Sequence, residues 1–62
     1  MAAHDYRADV AAWLDAKRHR ERVQNLLARV PAGSDAAAAI SVALERAEAD
    51  EHAARLAMLG AD

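Results

Sequence analysis

The sequence Val-Pro-Ala-Gly-Ser-Asp, residues 30–35, is the one strong break in a 62-residue chain otherwise rich in alanine, leucine, arginine and glutamate. Proline disfavours helix for the residue before it, and glycine allows a tight turn. Ser34 is a good helix N-cap, and Asp35 suits the first turn of a following helix. We therefore expect helix 1 over about 5–30, a turn at 31–34 and helix 2 over about 35–59.

Both predicted helices are long and their connection is short, a combination typical of antiparallel helices. The sequence thus predicts an all-α fold, an antiparallel two-helix hairpin that forms a single domain over residues 1–62. Asp5 is the expected N-cap of helix 1, and helix 2 is expected to end near Gly60.

Each predicted helix carries a mostly apolar stripe at alternating spacings of three and four residues, as in helices that pack together. In helix 2 the stripe is Ala37, Ile40, Leu44, Ala47, Glu51, Ala54 and Met58. In helix 1 it is Asp9, Ala12, Ala16, His19, Val23, Leu26 and Val30. When the two stripes pack against each other in antiparallel order, their residues meet in successive layers along the interface between the helices, which we call the seam. His19 and Glu51 then fall in adjacent layers, and we predict that they hydrogen-bond as a core polar pair, within the chain or across a dimer. The alternative is that the seam is open at this point and that both side chains are hydrated.

The core of a single hairpin is expected to be thin, because the only aromatic residues are Tyr6 and Trp13 and alanine buries little area. We expect assembly into a homodimeric four-helix bundle, or packing on the helices of another protein. The expected anchors form a second apolar face: Tyr6, Val10, Trp13, Leu14 and Leu56. Alternatively, Trp13 folds over the seam beside Arg55, whose guanidinium would stack on the indole.

The sequence offers little for catalysis. It has no cysteine, no threonine, only two serines and no glycine-rich phosphate loop, so we expect neither enzymatic activity nor a cofactor. Two carboxylate–histidine pairs at i,i+4 spacing, Asp15 with His19 and Glu48 with His52, are candidate metal ligands. Their spacing differs from the Glu-x-x-His of di-iron bundles, and Asp15 and His52 fall on the flanks. We therefore expect no metal site.

Charge is divided unevenly along a chain whose net charge is −2. Residues 1–33 carry six basic and four acidic side chains, a balance of +2, and residues 34–62 carry two and six, a balance of −4. Four arginines share one side of helix 1: Arg7, Arg18, Arg22 and Arg29. Such a row can follow a phosphate backbone, although no aromatic residue interleaves for base stacking. Arg20 is expected beside the seam, opposite Glu48.

The N-terminus lacks the apolar run of a signal peptide, and no stretch is long enough to span a membrane, so we expect a cytoplasmic protein. The plan resembles the small plasmid RNA-binding hairpins of the Rop family and the helical-hairpin co-chaperones of type III secretion needle subunits. Neither resemblance extends to a motif, so no functional residue is carried over from it.

We therefore expect a small non-enzymatic protein–protein interaction module: an adaptor, accessory subunit, co-chaperone or regulator. It would bind itself or another helical protein through an apolar helical face. The alternative is a dimeric RNA- or DNA-binding regulator that uses the arginine row.

Overall fold

The computed structural model describes residues 6–60, which form two helices packed against each other. Helix α1 is Tyr6–Arg29 and helix α2 is Asp35–Leu59. Because only a short turn joins them, α2 runs back along α1, and the described residues contain no strand. The all-α hairpin predicted from the sequence is confirmed, whereas the expected N-cap Asp5 lies outside the described residues.

The turn has the geometry that its residues favour. Gly33 has φ of 79°, in the left-handed region where a Cβ is unfavourable. Ser34 is the N-cap of α2, as predicted: its hydroxyl oxygen accepts a hydrogen bond from the Ala37 backbone N–H at 3.1 Å. The same hydroxyl donates to the Pro31 carbonyl oxygen at 2.7 Å, so one side chain ties the turn to the start of α2.

The far end of α2 closes with a single backbone bond. The Gly60 N–H donates to the Leu56 carbonyl oxygen at 2.7 Å. Gly60 has φ of −93°, so α2 ends at the predicted place without the left-handed residue that often follows a helix.

The predicted stripe of α2 is confirmed by burial. All of its members are partly or fully buried: Ala37, Ile40, Leu44, Ala47, Glu51, Ala54 and Met58. Ser41 lies half-buried beside them. Within residues 6–60 only Val23, Ala37 and Ala47 are fully buried, and Ala47 is the most enclosed at 1% exposure. The two helices therefore meet over a narrow core made largely of small side chains.

The predicted stripe of α1 is half right. Its positions 9, 16, 23 and 30 are partly or fully buried, as expected. The three positions between them are wrong by one residue each: Trp13, Arg20 and Leu27 face α2 in place of Ala12, His19 and Leu26. Leu26 is instead 51% exposed.

Matching layers on the two helices explain this shift. Counted outward from the turn, the α2 stripe steps first by three residues, from Ala37 to Ile40, and then by four, to Leu44. An antiparallel partner must step in the same order, because successive layers rise equally along both helices. From Val30, that order leads to Leu27 and then to Val23, as observed.

Candidate interaction surfaces

A shallow groove lies at the start of α1, and we call it the first-helix groove. Its volume is about 380 Å³, and it is lined by Tyr6, Arg7, Val10, Ala11 and Leu14. Tyr6, Val10 and Leu14 follow one another at four-residue spacing, so they stack along one side of the helix. Tyr6 is 54% exposed and Val10 38% exposed, whereas Leu14 is half-buried. The groove lies on α1 alone.

Trp13 was predicted with this group but turns toward the seam between the helices. The Lys17 ammonium nitrogen lies 5.7 Å from the centre of its ring, within the range of a cation–π contact. The stacking cation is thus Lys17, where the sequence suggested Arg55. The Trp13 indole N–H is buried and meets no acceptor among residues 6–60.

Leu56, the fifth predicted anchor, is 55% exposed on α2 and does not line the first-helix groove. The structure therefore brings together three of the five predicted anchors, Tyr6, Val10 and Leu14.

The polar pair in the seam involves a different residue from the one predicted. Within the chain, Glu51 accepts a hydrogen bond from Arg20 Nε, and the two side chains are 21% and 22% exposed. Arg20 also donates from Nη1 to the Gln24 side-chain oxygen at 2.8 Å. His19 is exposed and does not hold the position beside Glu51. Arginine suits this place because its apolar stem packs in the seam while its guanidinium reaches the edge.

The predicted partner of Arg20 is corrected as well. The sequence placed Glu48 opposite Arg20, but Arg20 forms its ion pair with Glu51, which belongs to the α2 stripe. Glu48 is exposed.

A second groove, which the sequence did not single out, crosses from α1 to α2. It has a volume of about 270 Å³ and is lined by His19, Ala39, Val42, Ala43, Arg46, Ala47 and Asp50. Val42 is 61% exposed. The sequence did contain an indication of this groove, because α2 carries apolar residues on nearly every side. A surface helix usually has one polar face.

The four arginines of the predicted row are divided between surfaces. Arg7 lines the first-helix groove, whereas Arg22 and Arg29 line a separate groove of about 270 Å³ with Asn25 and Leu26. Arg18 lies between these two groups in the sequence, and its side chain is exposed. The described part of the chain thus has one place where two guanidinium groups flank an amide.

The candidate metal ligands Asp15, His19, Glu48 and His52 are all exposed. Within residues 6–60, no three or more histidine or acidic side chains come together as a metal-binding group. Neither described helix combines the length and apolarity needed to cross a membrane.

Comparison with known proteins gives no match: no family model, curated protein or solved structure is significantly similar to the chain.

Proposed function

We propose that this protein is a small, non-enzymatic, cytoplasmic interaction module that binds a helix of a partner protein in the first-helix groove. The observation that carries the proposal is the groove itself. Tyr6, Val10 and Leu14 form an apolar row on α1, in which Tyr6 is 54% and Val10 38% exposed. Apolar rows at this spacing are how one helix receives another.

The charge around the groove indicates the chemistry of the partner. Helix α1 carries six basic and three acidic side chains, a balance of +3. Lys17 and Arg18 continue from the groove along the helix. An amphipathic helix with acidic side chains beside its apolar ones would complement both features, since opposite charges at a rim favour association.

We also propose that the hairpin works as a homodimeric four-helix bundle. Three fully buried residues in the described chain, two of them alanines, are a small core for an independent domain. A second hairpin would add a second apolar layer.

The groove proposal is tested with a displayed library of amphipathic helical peptides selected on the wild-type protein. We expect acidic amphipathic sequences to be enriched. Leu14→Lys should weaken binding of a selected synthetic peptide at least about tenfold, which corresponds to about 1.4 kcal/mol. Ala28→Lys adds the same charge at an exposed site on α1 outside the groove, and should have little effect. Equal effects of the two substitutions, or selection of peptides without an apolar face, would contradict the proposal.

One observation favours a second candidate function, that of an RNA- or DNA-binding regulator. Arg22, Arg29 and Asn25 line one groove, and guanidinium and amide groups both bind phosphate oxygens. This function predicts retention on a polyanion that falls steeply with salt and is lost on Arg22→Gln with Arg29→Gln. The peptide-binding function predicts that the same double substitution lowers peptide affinity far less than Leu14→Lys does, because neither arginine lines the first-helix groove.

A further inference from the structure

The two sides of the helix–helix seam differ in polarity. On one side, the residues that flank the buried stripes are Ala12, His19, Leu26, Ala36, Ala43, Asp50 and Ala57. We call this side the alanine face. On the opposite side, the flanking residues are Val10, Lys17, Gln24, Ser41, Glu48 and Arg55. Five of seven residues are apolar on the first side and one of six on the second, so of these two sides the first suits the inner face of a larger bundle.

All seven residues of the alanine face are exposed in the hairpin. Leu26 is 51% exposed, and Val42, which lines the groove of this face, is 61% exposed. The short alanine side chains leave a shallow depression between the larger side chains. A depression of this kind lets a second helix approach closely.

The polar residues of the alanine face lie together. His19 and Asp50 line the same groove, on opposite helices, with apolar positions before and after them. An imidazole donates hydrogen bonds and a carboxylate accepts them. A single polar layer within an apolar face commonly fixes the register in which helices associate.

We propose that a second copy of this chain covers the alanine face, with α1 of each copy packed on α2 of the other and His19 paired with Asp50 of the partner subunit. This proposal rests on the homodimer proposed above and names its interface.

Charge complementarity favours a second copy in this arrangement. Helix α1 has a balance of +3, and α2 carries two basic and five acidic side chains, a balance of −3. A two-fold axis parallel to the helices places every helix between two helices of opposite charge. It also sets Leu26 at the level of the partner subunit's Ala43, a large side chain against a small one.

The area of the face is sufficient. A helix of 24 residues is about 36 Å long, and two packed helices are about 18 Å wide. The face therefore offers roughly 650 Å² per subunit, close to the roughly 800 Å² per partner of a standard-sized specific interface. The first-helix groove lies on the other side of α1, so the dimer would present two open grooves.

Matched substitutions on α2 test the interface. Ala43→Glu puts a charge on the alanine face, and Ala49→Glu puts the same charge on an exposed site away from the seam. Sedimentation equilibrium should give about twice 6.6 kDa for the wild type and for Ala49→Glu. Ala43→Glu should raise the dimer dissociation constant at least about a hundredfold.

A monomeric wild type would overturn both the homodimer and this interface, while leaving peptide binding in the first-helix groove a separate question. A wild-type dimer that Ala43→Glu and Ala49→Glu affect equally would overturn the interface alone.

Disulfide trapping keeps the proposal testable where Ala43→Glu simply unfolds. One copy carries Leu26→Cys and the other carries Ala43→Cys, and the two are mixed in a glutathione redox buffer. The proposed arrangement predicts that the disulfide between the two different variants forms in preference to a disulfide between two copies of the same variant. Preferential formation of a symmetric disulfide would overturn the pairing of α1 with α2 of the partner subunit.

Discussion

Removal of the ion pair between Arg20 and Glu51 tests the register of the hairpin. Each side chain is about one-fifth exposed, at 22% and 21%. Fully exposed ion pairs contribute about 0.2–1 kcal/mol, and hydrogen bonds to charged groups about 1.5–3 kcal/mol. A pair of intermediate burial should contribute more than the first range and no more than the lower part of the second. We therefore expect a coupling free energy of about 1–2 kcal/mol.

The measurement is a double-mutant cycle of Arg20→Ala, Glu51→Ala and the two together. Alanine is the best helix former, so neither substitution weakens its helix by propensity. Urea unfolding followed by circular dichroism at 222 nm gives the free energy of unfolding of each variant. All samples are held at one protein concentration, because association would shift apparent stability.

The control cycle replaces His19, the residue that the sequence pattern placed beside Glu51. A second cycle uses His19→Ala with Glu51→Ala, and we expect a coupling within about 0.3 kcal/mol of zero, as for residues that do not interact. A stronger coupling of Glu51 to His19 than to Arg20 would contradict the register described here. So would a coupling to Arg20 as small as the coupling to His19.

Two further substitutions test the seam and the turn. Ala47 is the most enclosed of the described residues, at 1% exposure, so Ala47→Leu should lower the free energy of unfolding by about 2–3 kcal/mol through overpacking. The same change at the exposed Ala49 should alter it by less than about 0.5 kcal/mol, and equal costs at the two sites would contradict the packing described here. Ser34→Ala removes the acceptor for the Ala37 N–H and should cost about 1 kcal/mol; a neutral result would show that the cap is not stabilising. Urea unfolding measures both effects.

Much of the candidate surface could be read from residue types and spacing. Tyr6, Val10 and Leu14 share one side of a helix because residues four apart stack along it, whatever that helix packs against. Trp13 could not be assigned in this way. It lies next to the seam, and whether it turns inward depends on which neighbouring positions of α2 receive it.

The break at residues 30–35 determined the hairpin by itself, because proline, glycine and a capping serine act through local backbone geometry. The stripe of α2 was also predicted from the sequence, by its unbroken alternation of three- and four-residue spacings. The tertiary structure decided which of two adjacent residues, Arg20 or His19, enters the seam. Both choices satisfy the periodicity of α1 alone, and only layer-by-layer matching with α2 distinguishes them.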